Sequence, residues 1–388
     1  MAIGRAAAAV AVLGLVLATA GSLWAQSAVA PAAGERSRSR WYKGNTHTHT
    51  VNTDGDTSPG DVVRWYREQK YQFLVLSDHD MVTPVEALNG LYGAPTTVSG
   101  ARRPEVPSNP FLLIPGEEVT DKFSTREAAG EAVRGRDLTS KEVHLTAVNL
   151  RKAIVPQGGA SVAETLQRDV DAIRAASAFP IINHPNFVWS VTAADMTGLR
   201  GVKAFELWNG HTQTHNLGAP GFPGTEEMWD QVLSGGTLLY GVASDDAHTF
   251  KTLGAPGAIA NPGRAWVMVR AADLTAEAIV DAMERGDFYA STGVELADYQ
   301  VSQKAIMLAV KPASRSKYAV RFIGKGGRLL KEVPVDPDLS GSGASGPLQI
   351  VAAPAVYEIR GDEGYVRAKV IESNGNMAWT QPVMVPAR

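Results

Sequence analysis

Short apolar runs alternate with stretches of helical spacing through residues 41 to 296. The runs are Phe73–Leu76, Phe111–Ile114, Pro180–Ile182, Lys203–Trp208, Leu238–Val242 and Ala265–Val269. Each has the length of a buried parallel strand. Helices are expected between them. Ser58 is placed to cap one whose first position is Pro59, with Val62, Val63, Trp65 and Tyr66 following. The longest spans Ser161 to Ala178, with Val162, Leu166, Val170, Ile173 and Ala176 along one face. Two more are expected at Thr225–Leu233 and Thr275–Met283. Strands alternating with helices imply an α/β fold built on a parallel sheet or barrel.

The pattern changes after residue 297. Strand-like runs occupy Ala305–Val310, Tyr318–Ile323, Leu348–Ala352, Ala355–Ile359, Gly364–Ile371 and Pro382–Val385. Turn residues separate them, and no helical period appears. Asp336 to Pro347 is rich in Ser, Gly and Pro and reads as a loop. The expectation is a small all-β, sandwich-like domain over 297–388. At the other end, Arg5 precedes an apolar stretch from Ala6 to Leu23 and then small residues. Residues 1–30 read as a secretory signal peptide, cleaved between Ala25 and Ala30, and 31–40 as a linker. A periplasmic or secreted protein is expected, with no stable membrane insertion once the signal is removed.

Composition narrows the chemistry. The chain of 388 residues has no cysteine, so thiol catalysis, disulfides and sulfur-ligated metals are excluded. Its 37 basic and 40 acidic residues leave a formal net charge of -3, with no basic excess to suggest nucleic acid. Any metal must be held by nitrogen and oxygen. Six of the eight histidines stand in short motifs beside carboxylates or apolar runs. The segments are His47-Thr48-His49, Asp54-Gly55, Ser77-Asp78-His79-Asp80, Pro115-Gly116-Glu117-Glu118, Val143-His144, Asn183-His184-Pro185 and Asp245-Asp246-Ala247-His248. In an extended segment, alternate residues share a face, so His47 and His49 can meet one ion, as can Asp246 and His248. His79, Glu118, His184 and Asp246 with His248 each follow an apolar run, which places them at carboxyl ends of strands, where barrel sites assemble. His144 instead precedes the run Leu145–Val148. It lies on an edge strand of opposite direction, or is not a ligand.

In this order the motifs resemble the PHP (polymerase and histidinol phosphatase) superfamily: a leading HxH, Asp-Gly, (T/S)DH(D), PGxE, an isolated His, His-Pro and a final DxH. The resemblance covers residues 41 to about 296. It implies a distorted (β/α)7 barrel holding two or three divalent ions, with manganese, zinc and iron all compatible with the ligand types. It also implies three ligand groups. His47, His49, Glu118 and Asp246 would form one, Glu118, His144 and His184 a second, and Asp54, His79 and His248 a third. PGxE selects Glu118 over Glu117, and DxH selects Asp246 over Asp245. Asp245 is left beside the site as a supporting group or proton shuttle. A narrower likeness, carried by Asn209-Gly210-His211, Asp245–His248, Phe288–Gly293 and Ala378-Trp379, is to exported members that include aryl carbamate hydrolases.

The function expected is hydrolysis of a phosphoester in a small-molecule substrate by a hydroxide bridging adjacent ions, with Glu118, His211 and Asp245 as catalytic candidates. Carbamate or carboxylic ester hydrolysis with an aryl leaving group is the alternative. A non-catalytic envelope binding protein with structural ions is a third. His211 follows the strand Lys203–Trp208 and could protonate a leaving group, with His215 a weaker candidate. Lys251 and Arg264 are candidate anion partners. Met81–Asn109 is a candidate lid, with Tyr92 available for substrate contact. The motifs have few cations near them, while Phe187, Trp189, Trp208, Phe222 and Trp229 follow strands or loops on the site side. That favours a weakly charged or aromatic substrate.

Overall fold

The computed structural model describes residues 39–92, 110–125, 139–313, 316–336 and 353–385. The signal segment 1–30, linker residues 31–38, lid residues 93–109, most of the 336–347 loop and the Leu348–Ala352 strand lie outside the described residues. Among the described residues, no helix is long and apolar enough to cross a membrane.

The fold is mixed α/β, with a large sheet and few helices. Nine strands come first: β1 (Arg40–Asn45), β2 (Phe73–Leu76), β3 (Leu112–Phe123), β4 (Lys141–Val148), β5 (Phe179–Ile182), β6 (Ala204–Asn209), β7 (Tyr240–Ser244), β8 (Trp266–Ala271) and β9 (Phe288–Ser291). They join in the order β9-β8-β1-β2-β3-β4-β5-β6-β7. β1, β2 and β3 are parallel, as are β5, β6 and β7. β4 runs antiparallel to both its neighbours, and β8 antiparallel to β1. Burial on both faces explains why β2, β5 and β7 read as unbroken apolar runs.

Helices α1 (Pro59–Glu68), α2 (Glu86–Tyr92), α3 (Val162–Ala175), α4 (Ala193–Met196), α5 (Thr225–Ser234) and α6 (Ala276–Glu284) connect the strands. Ser58 caps α1 by accepting from the Asp61 N–H, and Ser161 caps α3 by accepting from the Glu164 N–H at 3.1 Å. The buried stripe of α3 is Val162, Leu166, Val170 and Ile173, as its spacing predicts.

Three expectations change. Among the described residues the strand path is open and forms no closed seven-stranded barrel: β1 hydrogen-bonds β8 rather than sealing against β7. Beyond the ladders, β1 and β7 are stitched by two bonds, His49 N–H to Ala247 O at 2.9 Å and Asp246 N–H to His47 O at 3.0 Å. Glu118 lies within β3 rather than beyond a strand end, because Gly116–Phe123 continues the strand by pairing with β4. β4 has the opposite direction expected for the His144 strand but is central, not an edge.

The later strands are β10 (Glu295–Val301), β11 (Ala305–Lys311), β12 (Tyr318–Gly324), β13 (Arg328–Val335), β14 (Ala355–Glu358), β15 (Tyr365–Glu372), β16 (Met377–Thr380) and β17 (Val383–Met384). β10, β11 and β14 form a separate sheet, whereas β13-β12-β15-β16 extends the large one through β9. Leu296, Ile306 and Leu308 pack against Val320, Phe322, Val366 and Ala368 in one core between these strands. Arg367, 1% exposed, crosses to α5 and pairs with Asp230 at 2.8 Å and Glu226 at 3.1 Å.

Candidate metal centre

β1 delivers the first ligands. Past Asn45 the chain bends at Thr46, and Thr48 then bridges Ala247 and is tied to Ser77 beyond β2, while His47 and His49 on either side of it are turned inward. The Asp78 carboxylate gathers the next loop, accepting from the Thr50 N–H at 2.7 Å and from the hydroxyls of Thr50, Thr53 and Thr83. That loop carries Asp54. Gly55 must lack a side chain, because a Cβ there would sit 2.8 Å from the His49 carbonyl. His79 follows β2, Glu118 and His144 face each other from β3 and β4, His184 follows β5, and Asp246 and His248 follow β7.

All nine candidate ligands converge. Four overlapping groups bring their donor atoms within 4.8 Å of one another: His49, Asp54, His79 and His248; His47, His184 and Asp246; His47, His49 and Glu118; and Glu118, His144 and His184. Glu118 is the hub. Its Oε1 lies 3.1 Å from both His144 Nδ1 and His184 Nε2, and accepts from Asn183 Nδ2 at 2.9 Å. Its Oε2 lies 3.2 Å from His47 Nε2, 3.3 Å from His49 Nε2 and 3.1 Å from His79 Nδ1. Asp246 Oδ1 is 3.3 Å and 3.2 Å from the same two nitrogens of His47 and His49.

Three rings have their Nδ1 held by a hydrogen bond. His47 Nδ1–H donates to Glu206 at 2.8 Å, His79 Nδ1–H to Thr120 Oγ1 at 2.6 Å, and His248 Nδ1–H to the Asp246 carbonyl at 2.9 Å. Each Nε2 then faces the cluster and is the atom that would offer a lone pair to a cation once the ring is neutral. His47 Nε2 and His49 Nε2 lie only 3.1 Å apart, against the oxygens of Glu118 and Asp246. His49 Nδ1 and His144 Nε2 face carboxylates of Asp54 and Glu142, each at 3.5 Å. Protons on the rings or a bound cation would relieve the contact at His47 and His49: against the effect of burial, Asp246, Glu118 and Glu206 hold the His47 proton well above the ordinary imidazole range. A borderline divalent cation fits this nitrogen and oxygen set.

Electrostatics agree. Burial opposes charge on His144, but Glu118 and Glu142 hold its proton up to about 10. His248, despite burial, is held at about 9 by Asp54 and Asp246. His49 goes the other way: burial and the neighbouring His248 and His47 outweigh Asp246 and lower it to about 4. Burial would raise Glu118, yet His47, His144 and His184 keep it well below the usual carboxylate range.

Glu206 was not among the sequence candidates. It is buried on β6, accepts from His47, from the His184 N–H at 2.8 Å and from Asn209 Nδ2 at 2.8 Å, and also bonds Ser244. A lone carboxylate inside the apolar run Ala204–Trp208 was its signal. Glu117 faces the opposite side of β3, where it accepts from the Ile154 N–H at 2.9 Å and burial raises it to about 7.

Asp245 does not join the groups of clustered donors, and its surroundings are those of a supporting group, one of its two expected roles. Its carboxylate accepts from Tyr66 Oη at 2.9 Å and from the N–H groups of Gly263, Arg264 and Ala265 at 2.7–2.9 Å. His211 does reach the cavity rim, with ring centroid 5.8 Å from that of His248. His215 instead stacks on Trp189 at 4.7 Å. The Arg264 guanidinium bonds the carbonyls of Gly210, Ala258 and Ile259, and Lys251 is not among the cavity residues. Tyr92 ends α2 beside Arg67, away from the cavity. Of the aromatic candidates, only Phe187 lines the cavity; Trp208 stacks on Trp379, and Trp229 is buried.

No family model and no curated protein sequence matches the chain. Solved structures similar to it include a two-domain protein from Bacteroides vulgatus containing a predicted PHP-like metal-dependent phosphoesterase. It shares 13% identity at a TM-score of 0.41, over 89% of this chain and 96% of that one. A protein from Bifidobacterium adolescentis assigned as a metal-dependent phosphoesterase shares 14% identity at a TM-score of 0.32, over 56% of this chain and 92% of that one. Neither is described as an aryl carbamate hydrolase, so the narrower likeness gains no support. With overlap this partial, what the site can do rests on its own geometry.

Proposed function

We propose that the protein is a divalent-metal-dependent hydrolase acting on a phosphoester of a small molecule. One observation carries this reading: both oxygens of the buried Glu118 face imidazole nitrogens at 3.1–3.3 Å, one those of His144 and His184, the other those of His47 and His49. A carboxylate so placed is suited to span two cations. Bound divalent ions would polarise a phosphoryl oxygen and lower the pKa of water near them. His47, His49, Glu118 and Asp246 would hold one, Glu118, His144 and His184 another, and Asp54, His79 and His248 a further one.

The chain supplies the rest. Glu206, Thr120 and the Asp246 carbonyl fix the rings that face the cavity. His211 Nδ1 accepts from the Gln213 N–H at 3.3 Å, so the neutral ring carries its proton on Nε2. Burial lowers the His211 pKa, which keeps the ring neutral near pH 7. Its Nε2–H is then the donor for a leaving oxygen. A second reading, cleavage of an aryl carbamate or carboxylic ester, is favoured by the apolar wall residues Phe187 and Ile259.

The test is metal analysis of the purified protein together with hydrolysis of p-nitrophenyl phosphate, bis-p-nitrophenyl phosphate and 1-naphthyl methylcarbamate. His49→Ala and Glu118→Ala should each lose both bound metal and turnover. His211→Ala should keep its metal and slow hydrolysis about 100-fold, the scale of removing one hydrogen-bond donor from the charge that develops on the leaving oxygen. A metal-loaded protein that cleaves only the carbamate moves the conclusion to the second reading. A folded protein that binds no divalent ion removes both.

A further inference from the structure

The cavity over the ligand cluster measures about 290 Å³. Apart from the ligand residues, it is lined by Phe187, His211, Gln213, Thr249, Ile259 and Ala260. Among the described residues, no lysine or arginine lines it. Two cations stand behind the segments that carry Phe187 and Ile259, outside the lining, and both are engaged with backbone carbonyls. Lys141 Nζ donates to the Trp189 carbonyl at 3.0 Å, and Arg264 donates to the carbonyls of Gly210, Ala258 and Ile259 at 2.8–3.0 Å.

Each cation steadies an apolar wall. Lys141 holds the segment that presents Phe187, whose ring meets His184 edge-on at 5.3 Å. That segment is strained. Val188 and Trp189 have φ of 45° and 57°, a left-handed conformation that a β-branched residue rarely adopts. The Trp189 ring, stacked on His215 and on Phe222, helps to hold it there. Arg264 holds the facing loop that presents Ile259. The molecule thus maintains an uncharged, apolar entrance over a cluster rich in carboxylates.

A phosphomonoester brings a dianion, which such sites meet with arginine or lysine donors. A phosphodiester brings one negative charge and a second organic arm. We infer that this pocket selects phosphodiesters over phosphomonoesters, with an apolar arm the size of a single ring seated between Phe187 and Ile259. The inference rests on the phosphoester reading above and names its substrate class. Phe187 and Ile259 are its specificity-determining residues.

Two non-hydrolysable probes of equal size separate charge from shape: methyl(phenyl)phosphinate, a monoanion, and phenylphosphonate, a dianion at pH 8. Calorimetry on manganese-loaded protein should show the phosphinate bound at least tenfold more tightly. Bis-p-nitrophenyl phosphate should exceed p-nitrophenyl phosphate at least tenfold in kcat/KM. Phe187→Ala should weaken phosphinate binding about tenfold with metal content unchanged, and Ile259→Lys should tighten phosphonate binding. Equal or tighter phosphonate binding, or faster monoester turnover, overturns the charge selection and leaves the phosphoester reading standing. A metal-loaded protein that cleaves neither ester overturns both.

Discussion

Glu206 shows how far a single residue can act without touching the cavity. It fixes the proton of His47 and accepts from the His184 backbone. Glu206→Gln keeps the shape but weakens the charge that orients the ring. Divalent-metal affinity should fall roughly 10- to 100-fold, the usual effect of a carboxylate behind a metal-binding histidine, as competition with a chelating dye would measure. An unchanged affinity would leave Glu206 as core packing alone. At this scale much of the site was legible, because ligand chemistry restricts residue type. His47 and His49 declared themselves by alternation. Glu206 did not, since nothing in Ala204–Trp208 says which way one acid in a buried strand points. Asp245 is harder to read from sequence: its neighbour Asp246 belongs to the cluster, while its own carboxylate is taken up by Tyr66 and the backbone of Gly263–Ala265.

Among the elements, β3 was the hardest to read. Pro115-Gly116 resembles a strand end, yet the strand continues to Phe123. Gly116 is demanded there by packing, since a Cβ would come within 2.5 Å of Val75 and 2.8 Å of the Ala147 carbonyl. Contacts of that kind come from strands distant in sequence, and no local pattern records them. α3, by contrast, was legible from its cap and its apolar spacing. It also carries Asp169, fully buried, which accepts from the Gln157 N–H at 2.9 Å. Burial and the nearby Asp121 raise its pKa from 3.8 to about 8. Folded protein therefore keeps this proton after the unfolded chain has released it. The group costs stability progressively as pH rises from about 4 to about 8, and costs none below that window. Asp169→Asn should accordingly raise Tm relative to the parent at pH 8 and leave it level near pH 4. A difference independent of pH would show that Asp169 is already ionised in the fold.

On the scale of the whole molecule, the alternating pattern disclosed an α/β region followed by strands, but not how they join. That β8 lies beside β1, or that β9 meets β16, depends on residues more than 80 positions apart. Arg367 on β15 and its acids on α5 make a buried link of the same reach. Removing one partner of such a link typically costs about 3–5 kcal/mol, because the other charges remain buried. Arg367→Ala should lower Tm, and should do so for the entire protein. A continuous run of paired strands from β13 to β7 has no seam at which one half could melt first. Heating is therefore expected to give one endotherm in scanning calorimetry, and divalent cations added at the His47 end should shift it as a unit. The last strands, far from any histidine, would then melt on the schedule set by the cations.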